Sequence, residues 1–65
     1  MNISINQTLH ELPEGATVAD AVAAIAARPP FAVAVNTTFV PNTAYAAHRL
    51  QPGDRVEIIS PVTGG

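Results

Sequence analysis

The residues of greatest chemical consequence are Gly64 and Gly65, the last two of the sequence. A free carboxylate on glycine has no β-carbon beside its reacting carbon, and glycine reaches backbone angles closed to other residues. A di-glycine end on an extended arm can therefore thread a narrow channel and offer its carboxylate to another enzyme for activation. The plain alternative is a frayed terminus, where glycine is common. The residues upstream decide between the two.

No other constellation supports chemistry. His10 and His48 lie far apart without a metal-ligand pattern around either, and both read as ordinary surface or edge histidines. Ser60 lacks the flanking glycines of a nucleophile elbow. Gly53 sits in a turn, not in a glycine-rich loop that cradles phosphate. Asp54 reads as the side chain that closes this turn, and Tyr45 as a packing residue with a wet hydroxyl. No catalytic, cofactor-binding or metal-binding residue is therefore assigned. The chain reads as a bearer of a carboxylate and not as an enzyme.

Composition narrows the field further. Sixty-five residues make one small domain, and 48% apolar against 12% charged residues permit a packed core. Without cysteine there is no disulfide framework, thiolate metal site or cysteine catalysis. Arg28, Arg49 and Arg55 are the only basic residues besides the histidines, and the net charge is −2. They form no basic stripe, so nucleic acid is not an expected partner. No stretch approaches the ~20 apolar residues of a membrane span, and the N-terminus lacks the pattern of a secretory signal. A cytoplasmic location is expected.

The elements that must position the tail follow from periodicity. Met1, Ile3 and Ile5 alternate with Asn2, Ser4 and Asn6 as in a half-buried strand. Asn6-Gln7 is a turn candidate without the usual glycine, and Thr8 to Leu12 is a weaker returning strand. Thr17 opens a helix, with Asp20 three residues on as in a capping box. Val18, Ala21, Val22 and Ile25 form its apolar face. Arg28 suits its C-terminal end, and Pro29-Pro30 stops it. Phe31 to Val35 is apolar throughout and reads as a central strand covered on both faces. Asn36-Thr37-Thr38 turns the chain, and Phe39-Val40 is a short strand ended by Pro41. One helical turn is allowed within Asn42 to Arg49, with Tyr45 and Leu50 inward. After the Gln51-Pro52-Gly53-Asp54 turn, Val56, Ile58 and Ile59 lie in a final strand running into the tail.

This order predicts an α+β domain of two layers, a mixed sheet with one helix across one face, which is the β-grasp or ubiquitin-like pattern. The domain is expected to occupy residues 1–60 and a flexible tail residues 61–65. The sheet face without a helix is an expected docking surface, together with Ile59, Pro61 and Val62.

Several stretches then carry a specific resemblance: Ala34-Val35-Asn36-Thr37-Thr38-Phe39-Val40-Pro41, Tyr45-Ala46-Ala47-His48, Gly53-Asp54-Arg55-Val56-Glu57-Ile58, and Pro61-Val62-Thr63-Gly64-Gly65. Together they resemble the ThiS sulfur carriers of thiamine biosynthesis, over the whole chain and including the stop at the second glycine. Members often carry arginine after the Val-Pro pair and tryptophan near the Tyr45 position. Asn42 and Tyr45 stand there in this chain.

The resemblance implies a protein cosubstrate whose Gly65 becomes a glycyl adenylate and then a thioglycine, with Gly64 and Gly65 required for activation. A ubiquitin-activating-like, ThiF-like adenylyltransferase would supply the ATP and magnesium. A cysteine desulfurase relay would supply sulfur, and a ThiG-like thiazole synthase would take it into the thiazole ring. The chain itself would bind no cofactor. Three rivals share features: the small subunit of molybdopterin synthase, a protein modifier ending in di-glycine, and a TGS-like module that binds ligand or RNA.

Overall fold

Asn2–Ile5 (β1) and Thr8–Glu11 (β2) pair antiparallel, with Ile3 opposite His10 and Ser4 opposite Leu9, in a computed structural model that describes residues 1–60. Asn6 and Gln7 join them at φ of 50° and 69°. Positive φ at both turn residues matches the twist of flanking strands, which is why such short hairpin loops use it. Ile3 and Ile5 face the core, while Asn2 and Ser4 face away from it.

The helix forms where expected but is shorter. It spans Val18–Ala24 (α1) and does not run on to Arg28. Its N-terminus is fully provisioned. The Thr17 N–H donates to Asp20 Oδ2 at 2.8 Å, and the next two N–H groups, of Val18 and Ala19, donate to the carbonyls of His48 and Tyr45, each at 3.0 Å. These are donors that no helix can satisfy internally.

The C-terminal end explains the early stop. Ala26 sits at φ 52°, its N–H donates to Ala23 O, and the Ala27 N–H donates to Val22 O. That pair of bonds is a Schellman motif with alanine where glycine usually stands. Arg28 consequently lies beyond the last turn, which holds no basic residue. Val18 and Ala21 are fully buried, whereas Val22 and Ile25 are half-buried at the edge of the core.

Ala32–Val35 (β3) and Thr38–Val40 (β4) form the second hairpin, across Asn36 and Thr37 at φ 49° and 71°. A short 3-10 helix at Asn42–Ala44 follows, and Arg55–Ile59 (β5) closes the sheet. The strand order is β2-β1-β5-β3-β4, with β5 parallel to β1 and antiparallel to β3. The middle strand is thus β5, not the Phe31–Val35 segment expected there. Nor is β3 covered on both faces: Val33 and Val35 are buried, while Ala32 and Ala34 are only half so. An all-apolar run that includes alanine reads as doubly buried, but alanine carries too little apolar area to demand a second layer.

One helix therefore covers one face of a five-stranded mixed sheet. The core between them includes Ile3, Ile5, Val18, Val33, Val56 and Ile58, joined at its margins by Leu12, Val40 and Leu50. This is the two-layer α+β arrangement read from the sequence.

Candidate functional site

β5 is the element that leads to the tail. It begins after the turn in which Asp54 Oδ2 accepts the Gln51 N–H at 2.8 Å and Gly53 adopts φ 86°. Asp54 thus closes the turn with its side chain, as its position predicts. Asparagine side chains brace β5 from both neighbouring turns. Asn36 Oδ1 accepts the Arg55 N–H at 2.9 Å, and Asn6 Oδ1 accepts the Ile58 N–H at 2.8 Å. The strand that carries the tail is held in the middle of the sheet and on both sides.

Of the expected site residues, Ile59 is the last of β5 and stands 57% exposed. Pro61, Val62, Gly64 and Gly65, with the division of the chain at residue 60, lie outside the described residues.

Strand register fixes what accompanies Ile59 on the helix-free face. Ala32 is its partner on β3, Ala34 faces both Glu57 and Phe39, and Leu9 faces Ser4. Phe39 is 65% exposed and Leu9 72%. Ala32 and Ala34 thus lie between Ile59 and Phe39, which stand two strand spacings, about 10 Å, apart across the sheet and two residues apart along it, with Glu57 directly across Ala34 from Phe39. Exposed apolar side chains gathered on one face mark interaction surfaces more often than singly scattered ones. Sequence reasoning missed Phe39 and Leu9. The signal was present in Phe39-Val40 and Ile58-Ile59, because adjacent apolar residues in a strand must face opposite ways.

A second concavity lies on the helix side of the same sheet end. It has a volume of about 540 Å³ and is lined by Val22 and Ala27, by the Pro29–Phe31 connection, and by Asn42 and Tyr45. Phe31 and Tyr45 stack with ring centroids 5.9 Å apart and planes at 13°. Tyr45 is half-buried, in keeping with the packing role read for it.

The described residues assemble no set for catalysis. No polar or charged side chain among them is buried. Neither histidine joins a group of His, Cys, Asp or Glu able to hold a metal ion. His10, on the edge strand β2, is the register partner of Ile3 on the core side of the sheet, and His48 is half-buried, its backbone carbonyl bonded to α1. No helix among these residues is long and apolar enough to cross a membrane.

Comparison with known proteins agrees with this architecture. The chain superimposes on the crystal structure of a thiamine biosynthesis protein, ThiS, from Geobacter metallireducens with a TM-score of 0.81 at 23% identity, all of both chains being covered. The solution structure of a thiamine biosynthesis protein from the same organism gives 0.80 at 23% identity, over 100% of this chain and 88% of that one. At this identity the likeness establishes the shared fold. No curated protein sequence shows significant similarity to the chain. The model of the ThiS family matches residues 3–65, nearly the whole length and through both terminal glycines. With a β-grasp sheet and a family match over nearly its whole length, the chain belongs to the ThiS family.

Proposed function

We propose that this chain is a sulfur carrier of thiamine biosynthesis and that the Gly65 carboxylate is its working group. The observation that carries the reading is the family match extending through Gly64 and Gly65, on a fold whose described residues offer no catalytic set.

A carboxylate is a poor electrophile because oxide is a poor leaving group. Attack of a Gly65 oxygen on the α-phosphorus of ATP, with pyrophosphate leaving, gives an acyl adenylate on a ThiF-like partner that holds the ATP and magnesium. A persulfide sulfur from a cysteine desulfurase relay then adds to the acyl carbon and AMP departs. Cleavage of the acyl disulfide by a thiol leaves a thiocarboxylate, a soft nucleophile tethered to a protein. A ThiG-like thiazole synthase accepts the same arm and takes the sulfur. Gly64 serves both enzymes by adding no side chain next to the reacting group. These steps take place in the cytoplasm.

Docking in this reading uses the helix-free face beside the tail, through Ile59, Phe39, Pro61 and Val62. The exposure of Ile59 and Phe39 on one face, beside Ala32 and Ala34, supports it.

Intact mass spectrometry of the protein purified from its own cells tests the carrier role. The expected result is a fraction with one oxygen replaced by sulfur at Gly65. A protein carrying only oxygen there, from cells actively making thiamine, contradicts it.

A further inference from the structure

We propose that the cleft between the end of α1 and the 3-10 segment receives an uncharged apolar side chain of the enzyme that adenylates the tail. The inference rests on the carrier reading and names a second point of attachment, on the helix side of the sheet.

Position carries the first part of the argument. Ile59, the last residue of β5, is the register partner of Ala32, and Phe31 is the next residue outward from Ala32. Phe31 forms one wall of the cleft. The cleft therefore opens at the end of the sheet from which the tail departs, on the side opposite Ile59.

Chain length carries the second part. Five residues, 61–65, separate Ser60 from the Gly65 carboxylate. With Ser60 they make six residues beyond Ile59, and a fully extended chain spans at most ~3.6 Å per residue, so the carboxylate reaches no farther than about 22 Å from that sheet end. An active site that excludes water lies below its enzyme's surface. An arm this short draws the surface around the channel toward the sheet end at which the cleft opens.

Chemistry selects the occupant. No acidic or basic side chain lines the cleft, and its walls are proline, alanine, valine and the stacked Phe31–Tyr45 pair. A charged group placed there would lose water without gaining a partner. An aromatic or branched apolar side chain would instead bury apolar surface against these walls, as anchor residues of interfaces do. The polar groups among its lining residues are the amide of the exposed Asn42 and the Tyr45 hydroxyl.

Two variants test the proposal. Ala27→Trp fills the cleft, and Asn42→Glu sets a charge at its exposed rim. Pyrophosphate exchange is measured with the ThiF-like enzyme of the same organism across a range of carrier concentrations, beside thermal melts. Each variant should raise KM about 10-fold or more with kcat unchanged, because the cleft contributes binding and does not touch Gly65. Should Ala27→Trp fail to fold, Asn42→Glu decides alone. A folded variant with the wild-type KM, or one that lowers kcat without changing KM, overturns the cleft's role. Wild-type protein that supports no exchange overturns the carrier reading and this inference together; normal wild-type exchange with unaffected variants overturns this inference only.

Discussion

Asn6 reaches across the sheet to Ile58, its Oδ1 accepting the Ile58 N–H at 2.8 Å over 52 positions of sequence. β1 ends at Ile5, so its backbone offers no strand carbonyl at that level of β5. The side chain continues the ladder where the main chain has turned away. Asn36 does the same from the second hairpin, through Arg55. Each asparagine is also the first residue of a turn at positive φ, a conformation asparagine tolerates better than most residues. Turn geometry and the support of the tail-bearing strand are thus met by one residue type at two equivalent places.

Removing that acceptor should weaken the domain without disturbing the turn. Asn6→Gly keeps the positive φ accessible but leaves the part-buried Ile58 N–H unpaired, at an expected loss of about 1–3 kcal/mol. Asn6→Asp retains an acceptor and should lie near wild type at neutral pH. Urea unfolding of the pair checks this, and a glycine variant as stable as the aspartate variant contradicts it.

Ala26 should be a site of easy stabilisation. It holds φ 52° at the end of α1, where a β-carbon is unfavourable by roughly 1–2 kcal/mol. Ala26→Gly relieves this while giving back part of the gain as unfolded-state entropy. A net gain near ~1 kcal/mol corresponds to a rise in Tm of about 4–8 °C for a domain of this size. Calorimetry should show it; an unchanged or lower Tm would mean that the Schellman end is not under strain.

The helix-free face should separate binding from folding. Ile59→Glu and Phe39→Glu alter exposed positions, where stability usually changes by less than ~0.5 kcal/mol. Each should raise KM for the adenylating partner about 10-fold or more through loss of an apolar anchor. Wild-type kinetics in both variants would place docking elsewhere.

Much of this architecture is legible in the residues, for definite reasons. Ile3 and Ile5 alternate with polar residues, and Val56 and Ile58 alternate with Arg55 and Glu57, so each strand declares its inward face. Asp20 and Asp54 act within three residues of their partners, and such short-range hydrogen bonds are encoded locally. The helix end was not legible, because Ala23 to Ala27 is nearly uniform and nothing in it marks Ala26 for the positive φ that it adopts. The identity of the middle strand was hidden by the alanines of β3. The exposed face beside Phe39 and the cleft beside Tyr45 join segments distant in sequence, which periodicity cannot bring together. The di-glycine end was the plainest chemical signal of all, and its role depends on enzymes outside this chain.

Deletion of Gly65 tests the central claim most directly, with pyrophosphate exchange by the ThiF-like enzyme measured beside thermal melts. Gly65 lies beyond the last core strand, so the melting curve should stay within the ~0.5 kcal/mol typical of changes away from the core. Exchange should fall by about 100-fold or more, because a carboxylate displaced by one residue loses its in-line approach to the phosphate, and even ~1 Å of misplacement has that effect. If the deletion variant supports exchange at the wild-type rate, Gly65 is not the group that is activated and the carrier account is contradicted.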